Sequence, residues 1–92
     1  MNYFMVTYDL YTPGQKYNDL ISEIKKSPAW CKVLLSAFIV GTSETADQLS
    51  NRLRTKLDNN DFIIVISVCQ PEQGWLDKET HKWISENVPW CR

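Results

Sequence analysis

The chain has 92 residues, of which ten are Lys or Arg and eleven are Asp or Glu, so its formal net charge is −1. Hydrophobic residues make up 43% and charged residues 23%, which excludes a disordered tail or a collagen-like repeat. The length predicts one domain over residues 1–92. The chain lacks the basic excess of a dedicated nucleic-acid binder, so its global charge argues against tight non-specific binding of DNA or RNA.

The cellular compartment of the protein is predicted from its apolar runs and its cysteines. The apolar runs are far too short to cross a membrane, and the start of the chain has no basic region typical of a signal peptide. Cys31, Cys69 and Cys91 are odd in number and widely spaced, which indicates free thiols in a reducing cytoplasm, with Cys69 in the core. Their spacing, with His81 as a fourth ligand, matches no standard zinc site.

The first half of the chain predicts a strand, a helix and more strand. Tyr3–Leu10 is apolar on both faces, which indicates a buried central strand, and Thr12-Pro13-Gly14 interrupts it. Apolar residues then recur at helical spacing from Tyr17 to Ile24, and the helix is expected to stop before Pro28. The β-rich segment Trp30–Val40 is long enough for one bent strand or for two short strands with a break near Ser36.

The second half predicts a helix, a strand and a final helix. Thr45 and Gln48 match a capping box at the start of the second helix, and the run 58–61 is typical of a turn. Phe62–Val68 is apolar on both faces, which predicts a fully buried strand whose second face is covered by another subunit or by the last helix. That helix is predicted at about 77–88, with Asp77 as its N-cap.

The order of these elements predicts an α+β fold. Strands separated by helices in a chain of this length fit the ferredoxin-like, split βαβ sandwich, with two helices on one sheet face and an extra C-terminal helix.

Several short motifs resemble those of a known superfamily. The first strand ends in Tyr-Asp-Leu, a W-x(5)-S-A-F-I-V stretch begins at Trp30, the second helix ends in K-L-D-x-x-D, and Trp75–Ile84 has Trp-Leu at one end and Trp-Ile at the other. The pattern resembles the small CRISPR-associated adaptation proteins and the virulence-associated protein D toxins. It is most similar to short bacterial proteins labelled SinR-like.

The resemblance implies a symmetric homodimer with a site at its two-fold axis. In the adaptation proteins, the aspartate that ends the first strand is proposed there to bind Mg²⁺ for phosphodiester cleavage, and the matching residue is Asp9. Ser36 matches the family's serine and would assist by hydrogen bonding. The implied function is that of a CRISPR-adaptation-like or toxin-like metal-dependent endonuclease acting on RNA or DNA.

Other residues suggest a different class of function. Arg52 and Lys56 share a helix face and could line a phosphate path, although a solvated face is the simpler interpretation. Trp75 and Trp83 are candidates for anchoring a helix to the sheet or to a partner. His81 has no partner in any catalytic motif and is expected on a solvated helix face. The alternative function is therefore a non-catalytic dimeric interaction module or regulator.

Overall fold

Residues 1–11 and 15–92 are described by a computed structural model of the chain; the predicted break at Thr12-Pro13-Gly14 lies outside these residues. The elements follow the predicted order, and the segment from Trp30 to Val40 contains two strands rather than one bent strand. In chain order they are β1 (Asn2–Asp9), α1 (Gln15–Ile24), β2 (Ala29–Leu34), β3 (Ala37–Thr42), α2 (Ala46–Arg54), β4 (Phe62–Ser67) and α3 (Lys78–Asn87).

The strands form one antiparallel sheet in the order β2-β3-β1-β4, so β1 is central as predicted. Alternate residues of β1 pack beneath α1 and α2 on one face, which we call the helix face. The buried residues of that core are Phe4, Val6, Tyr8, Leu20, Ile24, Phe38, Val40, Leu49 and Leu53. This α+β arrangement confirms the ferredoxin-like prediction.

The opposite face of the sheet is only partly covered, by α3 and the chain around it. Ile39 of β3 is buried there against Ile84 and Val88. The Tyr3 ring lies edge-on to Trp83, with ring centroids 6.5 Å apart. A β-carbon at Gly41 would lie 2.6 Å from that tyrosine ring, so the glycine lets the ring lie flat on the strand. Trp83 thus packs α3 against β1, which is one of the two roles predicted for it.

Local signals in the sequence are found where they were predicted. Thr45 and Gln48 form a reciprocal capping box at the start of α2. The Asp77 carboxylate accepts a hydrogen bond from the Thr80 N–H at 2.8 Å and caps α3. The turn before β4 is closed by the Asp61 N–H, which donates to the Asp58 carbonyl at 3.1 Å. Each of these bonds spans three residues, so nearby sequence is enough to define it.

The prediction that β4 is fully buried is wrong. β4 is an edge strand of the sheet. The backbone groups along its outer side therefore have no neighbouring strand among the described residues, and one of its faces is left open. Ile63 and Val65 pack against the helix-face core. Phe62, Ile64 and Ile66 point the other way and are 71%, 54% and 52% exposed. None of these three side chains belongs to the described cluster around Ile84 and Val88, so the last helix covers only part of the second face.

The prediction of three free cysteines is also wrong. Cys69 and Cys91 form a disulfide with their α-carbons 5.1 Å apart, and Cys69 is exposed rather than part of the core. Beside the bond, the Gln70 N–H donates to the Pro89 carbonyl at 2.7 Å, and the Cys91 N–H donates to the Gln70 carbonyl at 2.8 Å. The disulfide therefore closes a loop that contains α3, which we call the cover (residues 69–91). Cys31 is the cysteine that stays free.

Candidate functional site

Asp9 lies where β1 ends, on the sheet face away from α1 and α2. It is exposed and pairs in register with Phe62 of β4, which places its side chain on the same face as that phenyl ring. A shallow depression of about 240 Å³ adjoins it. The depression is lined by Thr7, Tyr8, Asp9, Phe62, Ile63 and Ile64. One carboxylate thus stands at the rim of an otherwise apolar surface.

Ser36 does not join Asp9. Its Oγ lies 2.7 Å from the hydroxyl oxygen of Tyr17 on α1, on the helix face of the sheet. Its carbonyl accepts hydrogen bonds from the Tyr8 N–H at 3.2 Å and the Thr7 hydroxyl at 3.0 Å. The serine therefore ties the β2–β3 turn to β1 and α1, and its hydroxyl and the Asp9 carboxylate belong to opposite faces of the sheet.

Asp61 is a second acidic residue at this end of the sheet. The sequence indicated this aspartate only as part of a turn. Its carboxylate accepts one hydrogen bond from the Tyr11 N–H and another from the Asp58 N–H, each at 2.8 Å. Those bonds hold the end of β1 against the start of β4. Its oxygens are thus engaged by backbone amides, and Asp61 serves as a structural tie.

Asp9 is the residue of this site that could hold a Mg²⁺ ion. Among the described residues, no group of three or more His, Cys, Asp or Glu side chains is placed to hold a metal. Mg²⁺ is commonly held by one or two carboxylates with substrate phosphates and water supplying the other oxygens. Asp9 could supply one such carboxylate.

Arg52 lies in an ion-pair network rather than on an open phosphate path. Its guanidinium donates to both carboxylate oxygens of Glu44 at 3.0 Å each. It also donates to the Glu23 carbonyl and carboxylate, at 2.8 and 3.1 Å, and to the Ser27 hydroxyl at 2.9 Å. These bonds use all five guanidinium donors. The interpretation of Arg52 as a phosphate contact is therefore not favoured. Lys56 is exposed, but it lies in the turn after α2 and not on the helix.

The charges of this network stabilise one another. Burial alone would raise the pKa of Glu23, but its bonds to Arg52 and Lys26 outweigh burial and lower that pKa. The Arg52 hydrogen bonds lower the pKa of Glu44 against an opposing effect of burial. In return, the hydrogen bonds to Glu44 raise the pKa of Arg52. The network joins α1 to α2 and holds the Arg52 guanidinium between them.

The cover carries the remaining candidates. Trp75 is fully exposed, at 102% of its reference area. His81 was expected on a solvated face, but it is half-buried, and its Nδ1 lies 2.9 Å from Glu72 Oε1. This pair links α3 to the chain that crosses the sheet ahead of it. None of the helices in the described part of the chain is long and apolar enough to cross a membrane.

Comparisons with known proteins support the fold alone. No family model matches the chain, and no curated protein matches it. Among solved structures, the chain is similar to a hypothetical protein, TT1823, from Thermus thermophilus, with a TM-score of 0.63 and 21% identity. The match covers 83% of this chain and 94% of that one.

Proposed function

We propose that the protein is an interaction module that works as a homodimer through its open face, meaning the surface formed by Thr7, Asp9, Phe62, Ile64 and Ile66. The observation that carries the proposal is the exposure of three large apolar side chains in a row on β4. Covering each of them would contribute about 1 kcal/mol or more. No charged residue or proline interrupts β4, although such residues commonly protect an edge strand from pairing.

A second copy is the occupant that best suits this face. The face is flat and apolar, and two copies related by a two-fold axis would each bury the same strand. Because Asp9 is opposite Phe62 in register, an axis close to that ring would also bring the two Asp9 carboxylates near each other. The near-neutral chain favours self-association over binding of a polyanion.

The position of Asp9 favours a second candidate function, metal-dependent cleavage of phosphodiesters. Two carboxylates held close together repel each other, which raises the pKa of one of them unless a cation lies between them. A Mg²⁺ ion there would supply Lewis-acid chemistry, and each Asp9 would orient it against a substrate phosphate. This is the CRISPR-adaptation-like or toxin-like endonuclease that the sequence resemblance implies, acting on RNA or DNA.

The cytoplasmic location remains a prediction. It rested partly on three free cysteines, and a disulfide is uncommon in a reducing compartment.

Light scattering across micromolar concentrations tests the dimer. Wild type should have twice the 10.7 kDa chain mass, and Ile64→Lys should have the single-chain mass because a charge would be buried at the interface. Leu35→Lys is the matched control, since Leu35 is 84% exposed in the β2–β3 turn and outside the open face. Phe62→Ser provides a second variant. A wild-type mass of one chain at every concentration would refute the proposal.

The cleavage function has a separate test. Labelled RNA and DNA are incubated with wild type, Asp9→Asn or Asp47→Asn, in Mg²⁺, Mn²⁺ or EDTA. Asp47 is an exposed aspartate of α2 and serves as the control. Cleavage that needs metal and is lost only in Asp9→Asn supports the enzyme. Equal cleavage by all three proteins, or none by a proven dimer, rejects it and leaves the interaction module in place.

A further inference from the structure

A groove of about 350 Å³ lies between the sheet and the cover, beside the open face. Its floor comes from Met5 and Ile39, its back from Ile84, and its rim from Leu34 and Trp75. The volume is within the range of small-molecule sites, which are concave and mostly apolar with a few placed polar groups. The open face is flat by comparison, so the two surfaces suit different partners.

One charged residue lines this groove. Among the described residues that line it, Glu72 is the only acidic or basic one. Its Oε1 is held by His81 Nδ1 at 2.9 Å, and its Oε2 has no hydrogen-bond partner among the described residues. His81 belongs to α3, and Gln70 and the disulfide fix the ends of the cover. The carboxylate is therefore held in place with one oxygen available to a ligand.

Trp75 adds a second recognition element at the rim. Its indole is fully exposed although it belongs to the groove lining, so both faces of the ring are accessible. An indole face attracts cations and also packs on hydrocarbon. An apolar groove with one free carboxylate oxygen and an open indole complements a molecule with a hydrocarbon body and a positive head.

We propose that this groove binds a small amphiphilic cation, a primary ammonium carried on an apolar chain. The chain lies against Met5, Ile39 and Leu34, and the ammonium donates to Glu72 Oε2 beside Trp75. An anionic ligand would be repelled by Glu72, and an uncharged one would leave the carboxylate without a partner. The site does not depend on the open face or on Asp9, so it is independent of the proposed homodimer.

Three probes with one chain length test the chemistry: n-octylammonium, octan-1-ol and octanoate, each below its micelle concentration. Binding is followed by backbone amide and indole shifts in a ¹⁵N spectrum of the full chain. Octylammonium should bind about tenfold more tightly than octanol, which is the effect expected of a hydrogen bond to a charged group, and octanoate should bind most weakly. The perturbed signals should include Trp75 and avoid Phe62.

Matched variants identify the residues. Glu72→Gln should bring octylammonium to within about twofold of octanol, whereas Glu86→Gln, on the exposed side of α3, should leave the preference unchanged. Leu34→Ser should weaken all three probes, and Leu35→Ser should not. Ile64→Lys should bind as wild type does, which separates this site from the dimer surface.

Four results would overturn the proposal. The first is equal binding of the three probes, and the second is an ammonium preference that survives Glu72→Gln. The third is a set of perturbed signals that maps to the open face. Loss of binding in Ile64→Lys would also overturn it, because the ligand would then need a second copy.

Discussion

Breaking the Cys69–Cys91 disulfide should lower the free energy of unfolding by about 3 kcal/mol. The cysteines are 22 residues apart, and a cross-link of that span removes about 3.4 kcal/mol of loop-closure entropy from the unfolded chain at room temperature. In the native state the cover keeps its other contacts, since two backbone hydrogen bonds flank the disulfide. Cys91→Ser should therefore act mainly through the unfolded state, with a larger dependence on urea as a second sign.

The assay is urea unfolding followed by tryptophan fluorescence, on oxidised wild type, wild type with a dithiol reductant, and Cys91→Ser. A thiol titration under denaturing conditions should count one thiol before reduction and three after it. Reduced wild type and Cys91→Ser should coincide, about 3 kcal/mol below the oxidised protein. Cys31→Ser should retain the full difference between its oxidised and reduced forms.

One outcome would refute this reasoning. If the thiol count shows the disulfide and Cys91→Ser still unfolds within about 0.5 kcal/mol of oxidised wild type, the cross-link does not restrict the unfolded chain as the loop length requires.

Three further predictions concern the polar side chains of Arg52, Tyr8 and Gln70. Arg52→Met should lower the free energy of unfolding by about 3 kcal/mol at neutral pH, because it leaves the carboxylates of Glu23 and Glu44 without their ion-pair partner. Arg54→Met, on the exposed side of α2, should change that free energy little. Since the folded-state pKa of both carboxyls is lowered from 4.5, the stabilisation is present above that pH and is lost as the pH falls through the lowered pKa values. The urea curves of wild type and Arg52→Met should therefore converge as the pH falls below 4.5. Tyr8→Phe should raise stability by about 1 kcal/mol, since the buried Tyr8 hydroxyl has no hydrogen-bond partner among the described residues. Burial, with a smaller effect of the neighbouring Tyr17, raises the pKa of Tyr8 from 10.0 to about 12. Wild type should therefore lose stability as the pH rises through that interval, and Tyr8→Phe should lose less, as measured by urea unfolding at each pH. Gln70→Ala should lower the free energy of unfolding by about 1–2 kcal/mol and speed amide exchange at the end of α3, because the Gln70 amide donates to three carbonyls there, those of Ile84, Ser85 and Val88. Gln73 is exposed, so Gln73→Ala should do neither.

Local patterns predicted most of the fold. The capping box at Thr45, the N-cap at Asp77 and the turn closed by Asp61 depend on residues a few positions apart. The position of β4 is different, because a run that is apolar on both faces is compatible with a central strand or with an edge strand whose partner is another chain. The choice depends on which strands pair, and that depends on the whole chain.

The candidate site was harder to predict for the same reason. Asp9 was correctly placed at a strand end, but the distance in sequence to Ser36 does not show that their side chains belong to opposite sheet faces. Arg52 and Lys56 were predicted to share a helix face, but α2 ends at Arg54, before Lys56. Glu23 reaches Arg52 from another helix, 29 positions away. Cys69 and Cys91 meet because residues 70 and 90 form a backbone bridge, which no spacing rule anticipates.

The central place of β1 also affects how the chain folds during synthesis. β1 is made first, yet it lies between β3 and β4, and the last residue of β4 is 58 positions after Asp9. At about 5–20 residues per second, a ribosome needs roughly 3–12 s to make that stretch. Throughout that interval the apolar strand β1 cannot yet pair with β4. The speed of translation, as well as the stability of the finished fold, therefore sets how long β1 is open to chaperones and to other nascent chains.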